Sequence, residues 1–214
     1  MDEEIQIINE SVKKKRFIDL IIKYKKSIYS FLIVLLMLLL VYFIYGDFQN
    51  RKNIKISNKY NGVLSNYSND KKDIFINELI EIINSNNKTY SPLALYFLID
   101  NELIKSNENV NSYFNQILNN INFDNETKNL IIYKKGLYNS QNISEVNLVE
   151  MLKPVLSSNS IWKPHSLLLI GDYFLSKGEK NKASDFYNQI ILINNVNQNI
   201  LNEAKLRIQQ NLNE

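Results

Sequence analysis

For twenty consecutive positions, Ser27 to Gly46, the chain carries no charged residue, and the centre of this run, Phe31 to Val41, is wholly apolar. A helix rises about 1.5 Å per residue, so the run measures about 30 Å, the hydrocarbon thickness of a bilayer. Aromatic residues stand at both ends of the run, Tyr29 and Phe31 at its start and Tyr42, Phe43 and Tyr45 at its end, as rings at headgroup level do. A buried core helix is a poor alternative, because the stretch is apolar on every face and too long for one. A cleaved signal peptide would need a small-x-small site where the chain has Tyr45-Gly46-Asp47-Phe48. The run therefore reads as one uncleaved membrane span.

That reading divides the chain into an N-terminal segment (1–26), a transmembrane helix (27–46), a juxtamembrane helix or linker (47–69) and a C-terminal body (70–214). Orientation follows from the flanks. Seven basic residues lie between Lys13 and Lys26, against four (Arg51, Lys52, Lys55, Lys59) just after the span. The positive-inside bias then puts the N-terminus in the cytoplasm and the body across the membrane.

Beyond the span, residues 47–214 hold 18 basic and 17 acidic residues, a balance unlike that of a nucleic-acid binder. The chain has no Cys, which removes disulfides and thiolate chemistry. Five Gly and three Pro in 214 residues disfavour turn-rich β architectures. Heavy use of Asn, Ile, Lys and Tyr reads as the mark of an AT-rich genome. The Asn residues are interleaved with Ile, Leu and Tyr at helical spacing, which favours a packed fold over a low-complexity tract.

Ile5, Ile8, Val12 and Phe17 predict a weakly amphipathic helix before the span, and Phe48 to Tyr67 predicts a further one after it. Apolar-periodic segments of about a dozen residues follow, each bounded by turn residues. They cover Asp73 to Ile83, a helix capped by Ser91 with Pro92 in its first turn, carrying Leu103 and stopping around Ser106-Asn107, then Val110 to Ile121. A segment after an Asp124 cap comes next, then Glu145 to Leu156, which Pro154 is expected to break early. Pro164 to Ser176, Asn181 to Ile193 and Ile200 to Leu212 complete the set. The expected body is all-α, an array of short antiparallel helices.

Residues 164–197 fit a 34-residue tetratricopeptide pattern. Leu167 stands at the first large position, Gly171 and Ala183 at the small ones, Phe174 and Tyr187 at the aromatics, and Gly178 at the turn. Gly171 and Ala183 let two helices approach, Phe174 and Tyr187 fill the space beside them, and Gly178 permits the tight turn. The upstream helices keep the length without the signature, as degenerate repeats, and the last helix is the cap a solenoid needs.

An acidic-then-basic N-terminal segment ends in Ile22-Lys23-Tyr24-Lys25 before the span. Tyr90-Ser91-Pro92-Leu93-Ala94-Leu95 opens the first clear pair, and Met151 to Leu156 leads to Ser160-Ile161-Trp162-Lys163-Pro164 and the repeat. Glu203-Ala204-Lys205-Leu206-Arg207-Ile208 follows in the closing helix. In this order the chain resembles the YfgM-type ancillary subunit of the bacterial SecYEG translocon, a single-pass, tetratricopeptide-like family. It departs from the family where Ala-rich positions are Ile, Tyr or Asn, and 107–148 matches only in helix length. The resemblance implies an inner-membrane anchor, repeats in the periplasm, the SecYEG translocon and a periplasmic chaperone as partners, and no catalytic residues.

Catalytic motifs are absent from the sequence. His165 is the only His and has no sequence neighbour to form a metal site or triad. Glu78 with Glu81, and Asp70 with Asp73, share helix faces and read as solvated surface. No phosphate loop, HExxH or Gly-x-Ser-x-Gly occurs. Trp162, the sole Trp, is either a plug between helix pairs or an aromatic on a partner surface. The expectation is a non-enzymatic interaction protein without cofactor, small-molecule substrate or nucleic-acid partner, assisting periplasmic handling of exported proteins. A scaffold of another envelope assembly, or a regulatory membrane protein, is the alternative.

Overall fold

The computed structural model describes residues 2–68 and 72–213, without the side chains of 2–15, 17, 19–21, 28 and 211–213. The side chains of Ile5, Ile8, Val12, Phe17 and Leu212, and the whole of Asp70, lie outside the described residues. Among the described residues every regular element is a helix: α1 (Asp2–Asn66), α2 (Lys72–Asn84), α3 (Tyr90–Asp100), α4 (Asn107–Asn120), α5 (Asn125–Asn139), α6 (Glu145–Leu156), α7 (Lys163–Ser176), α8 (Lys180–Ile191) and α9 (Gln198–Asn213). The chain divides into two units, residues 1–55 and 56–214.

The first unit is α1 as far as Lys55. Residues 29–48 are all exposed, Leu38 at 63% and Phe43 at 69%, so the chain itself covers none of this apolar surface. The stretch from Ile22 onward is long and apolar enough to cross a membrane. The helix expected before the apolar run and the further one expected after it are both continuous with the run, as the single helix α1. It contains no Pro, and a Cβ at Gly46 or Gly62 would meet nothing within 4 Å. Nothing in this stretch therefore forces a break.

The second unit takes in the end of α1. Val63 is 3% exposed, and Tyr60 and Tyr67 pack on the core formed by Phe75, Leu79 and Leu95. Successive helices run antiparallel, as the pairings show. Phe174 meets Phe186 while Gly171 meets Tyr187. Likewise Asn107 meets Tyr138, Asn111 meets Asn139, and Asn115 meets Lys135.

Odd-numbered helices also touch odd-numbered ones. Tyr60 packs on Tyr90 at 5.4 Å, Lys134 Nζ lies 5.8 Å over the Tyr96 ring, and Arg207 Nε donates to Asp172 at 3.0 Å. Even-numbered helices do the same. Gln116 donates to Asn84 at 3.1 Å and Lys182 to Glu145 at 3.2 Å. The body is thus two layers of helices, built by contacts reaching one or two elements along the chain.

Buried positions recur in register. Val63, Leu98, Gly136 and Gly171 advance along α1, α3, α5 and α7 in steps of 35, 38 and 35 residues. The same steps carry Phe75 to Val110, Leu148 and Ala183 on the even helices, Leu79 to Phe114, Leu152 and Tyr187, and Ile82 to Ile117, Val155 and Ile190. Four helix pairs therefore present the same positions to the interior. The longer step lies between Ile117 and Gly136, outside any pair.

Helix ends differ from the sequence expectation in three places. Ser91 does not cap α3. It is buried, its hydroxyl donates to the Ile82 carbonyl at 2.8 Å and accepts the Asn87 N–H at 2.8 Å. The Asn87 side chain caps instead, accepting the Thr89 and Tyr90 N–H groups at 3.0 Å. Helix α3 also stops at Asp100, short of Leu103, because Glu102 turns left-handed (φ 51°). The Glu102 N–H bonds the Ile99 carbonyl and the Leu103 N–H the Leu98 carbonyl, a Schellman closure that tucks Leu103 into the core. Pro154 does not end α6 early. It lies in the last turn, where few backbone bonds remain to be lost, and the helix continues to Leu156. The Asp124 cap of α5 is present, with the side chain accepting the Thr127 N–H at 2.9 Å.

Candidate functional site

The α7/α8 hairpin gathers the residues of the repeat pattern. Leu167, Phe174, Ala183 and Tyr187 are buried in one cluster with Ile170 and Ile190. Gly171 lies flat against the Tyr187 ring, and a Cβ there would fall 2.3 Å from Cε1. Gly178 closes the turn at φ 76°, with its N–H on the Leu175 carbonyl and the Glu179 N–H on the Phe174 carbonyl. Phe174 stacks on Phe186 at 5.4 Å, and Lys182 Nζ lies 5.0 Å over the Phe174 ring.

A polar chain fixes this hairpin to α9. The Tyr187 hydroxyl donates to Asp172 Oδ1 at 2.7 Å, Arg207 Nε donates to the same oxygen, and Arg207 Nη2 pairs with Glu203 at 3.1 Å. Burial, followed by the bond to Asp172, pushes the Tyr187 phenol far above its ordinary value, so it stays protonated and keeps the hydrogen that it donates to Asp172.

Trp162 starts α7 and is half-buried. Its ring stacks on Tyr133 of α5 at 5.8 Å and meets His165 at 5.1 Å. His165 Nδ1 lies 3.2 Å from the Ile161 carbonyl. Glu126 of α5 accepts from Ser160 Oγ at 2.7 Å and from the Ile161 N–H at 3.2 Å. Trp162 therefore sits between α5 and α7, and the exposed apolar residue of its turn is Ile161, at 67%. Of the two carboxylate pairs, Glu81 forms an ion pair with Lys59 and Glu78 borders a cavity between α1 and α2. Among the described residues no group of three metal-ligating side chains occurs.

Two clefts between odd-numbered helices lie in the same register. The first, about 490 Å³, separates the start of α3 (Pro92, Leu93, Tyr96) from Phe123, Thr127 and Leu130. The second, about 550 Å³, separates the start of α7 (Pro164, His165) from Ile193, Asn197 and Ile200. Phe123, Thr127 and Leu130 map onto Ile193, Asn197 and Ile200 two steps on, 70 residues later. At the α5/α7 boundary between them, the matching space holds the Trp162 ring, where the other odd helices carry Thr89, Thr127 and Asn197. Floors of Pro, Leu and Ile with rims of Asn, Thr, Lys88 and Asp124 suit a chain segment with apolar side chains and a polar backbone.

Tyr96 borders the first cleft and a smaller cavity of about 110 Å³ beside Leu137 and Tyr138. Its hydroxyl is buried without a hydrogen-bond partner, and burial pushes its phenol far above the ordinary value. Tyr133 is raised by burial first and by Asp172 second.

The sequence pattern missed Gly136, which stands one step before Gly171 and whose Cβ would fall 2.6 Å from Leu152. The signal was there, since Gly136 and Gly171 are 35 residues apart, but its partner is Leu and not an aromatic. The clefts carry no sequence signature, being made of ordinary core-type residues that the fold leaves uncovered. A scan against protein-family models, a search of curated proteins and a search of solved structures return no match to this chain.

Proposed function

We propose that this chain is a single-pass membrane protein whose body is a tetratricopeptide-like α-solenoid that binds extended, non-native polypeptide. In this reading it is non-enzymatic and works beside the SecYEG translocon with a periplasmic chaperone, its N-terminus in the cytoplasm and its body in the periplasm. The observation that carries the repeat reading is the common 35, 38 and 35 step of four buried positions over four helix pairs. Among the described residues the main helix contacts join first and second neighbours, which is the contact pattern of a solenoid.

Binding of extended segments is supported by the two clefts. Interaxial distances of about 8–10 Å put clefts two odd helices apart within about 20 Å of each other, a span of roughly six extended residues. Apolar side chains of the client enter the clefts, and the Tyr96 hydroxyl donates to a client carbonyl. The anchor raises the local concentration of a weak binder at the membrane. The translocon and the compartment rest on the sequence resemblance and the flanking charges.

The test places a photo-cross-linking residue at Leu93 or Ile200 of the full chain in membranes engaged in export. Cross-links to emerging chains, together with recovery of translocon subunits, are the expected result. Cross-links confined to subunits of another envelope assembly would overturn it in favour of a scaffold.

A further inference from the structure

The two ends of the apolar run differ sharply in charge within a single turn. Outside Ser27 come Lys23, Tyr24, Lys25 and Lys26, with a charge of +3; outside Gly46 come Asp47, Phe48, Gln49 and Asn50, with a charge of −1. Both turns belong to α1, so steps of about 100° per residue gather Lys23, Lys25 and Lys26 on one side of the helix, within an arc of about 160°. Their side chains are exposed, and Lys23 Nζ lies 5.5 Å from the Tyr24 ring while Lys25 Nζ lies 5.9 Å from the Tyr29 ring. Beyond Gly46 the first base, Arg51, is paired with Asp47 at 2.8 Å.

We propose that Lys23, Lys25 and Lys26, with Tyr24 and Tyr29, form a partial collar on one side of α1 that binds the phosphate groups of anionic lipids in one leaflet. This rests on the reading of residues 27–46 as a membrane span. A bilayer's headgroup zone is about 5–8 Å deep on each side. At about 1.5 Å per residue, Lys23 to Lys26 lie within about 6 Å of the apolar run and so inside that zone. The ammonium groups meet phosphate oxygens at contact distance, and the Tyr24 and Tyr29 rings flank them about 7.5 Å apart along the helix axis.

The other basic group, Lys13 to Arg16, lies fourteen to eleven residues before Ser27. It lies about 16 Å or more outside the hydrocarbon edge on a straight helix, past the headgroups and beyond about one Debye length. Its residues act only through the diffuse field. The inner collar is therefore the lipid site and the outer cluster is not, although the outer one has more charge.

The test uses the full chain reconstituted in vesicles of phosphatidylcholine alone or mixed with phosphatidylglycerol. Protease protection first establishes that the chain spans the bilayer, and native mass spectrometry then counts the lipids retained on release. Retained phosphatidylglycerol should exceed phosphatidylcholine. A triple Lys23→Gln, Lys25→Gln, Lys26→Gln variant should lose about a hundredfold of that preference, at roughly fivefold per base. Neutralising Lys13, Lys14, Lys15 and Arg16 with Gln should change it less than threefold. A spanning chain that retains both lipids equally overturns the collar, as does a preference removed by the outer variant and kept by the inner one. A chain that shows no protected fragment in either vesicle overturns the span reading instead.

Discussion

At the residue scale, three glycines in helices rank by what surrounds them. Gly62 faces open space, Gly136 faces the end of the Leu152 side chain, and Gly171 faces the Tyr187 ring. Replacing Gly by Ala in a helix gains about 0.5–1 kcal/mol where there is room. Gly62→Ala should therefore stabilise the body by that amount. Gly136→Ala should be close to neutral, because the Leu152 methyls can shift. The Tyr187 ring is wholly buried and held by Asp172, so Gly171→Ala should cost about 1–3 kcal/mol through overpacking. Thermal melts of the three variants check the order, and equal melting temperatures would contradict the packing account. Tyr96→Phe separates binding from stability. It removes a buried, unpartnered hydroxyl, so the fold should hold or gain slightly while cross-linking at Leu93 declines.

At the scale of elements, the helix ends carry information that apolar periodicity does not. Ser91 bridges α2 and the loop before α3 with two bonds from a buried hydroxyl. Ser91→Ala should thus cost about 1–3 kcal/mol, more than the loss of an exposed cap, measured by urea unfolding. Asp124 gives a pH signature. Its bonds from the Thr127 hydroxyl and N–H hold its carboxyl below the ordinary 3.8. A depressed native pKa contributes stability that is complete above the unfolded value and is lost as the pH falls through the native one. Asp124→Asn keeps an acceptor without titrating, so the variant should lose less stability than the parent below about pH 4. Parallel slopes for the two proteins would show that the cap does not titrate with folding. Apolar spacing located α2 to α9 to within a few residues, because burial at every third or fourth position is local. It overran at Leu103, since a buried residue just past a Schellman turn has the same spacing as one inside the helix.

On the scale of the whole molecule, the apolar surface of α1 and the layered body have separate consequences. Residues 29–48 are exposed throughout, and a charge at the centre of a span costs about 2.5–3.5 kcal/mol. A Leu35→Arg, Leu39→Arg double variant should therefore move from the carbonate-resistant to the extractable fraction. Retention of the variant in the membrane would remove the support for a span. The core of the body falls into two clusters, one from Val63 to Ile131 and one from Ile132 to Ala204. Trp162, the only Trp, packs against the second. In a chain of nearest-neighbour contacts the two halves need not unfold together. Trp fluorescence in urea should then report the second cluster alone, with a midpoint distinct from that of the helical circular dichroism signal. Coincident transitions would indicate a single cooperative body.

The helical class, the apolar run and the close approach at Gly171 and Ala183 are legible in the amino-acid order, because each depends on residues within one or two turns or one hairpin. Tertiary structure decided the rest. That Gly136 repeats the role of Gly171 against a Leu, and that Trp162 fills one inter-helix space while two others stay open, are facts about pairs of residues about 15–70 positions apart. Local spacing specifies which side of a helix is apolar. Which neighbour covers that side, and where none does, is settled only when the helices are stacked.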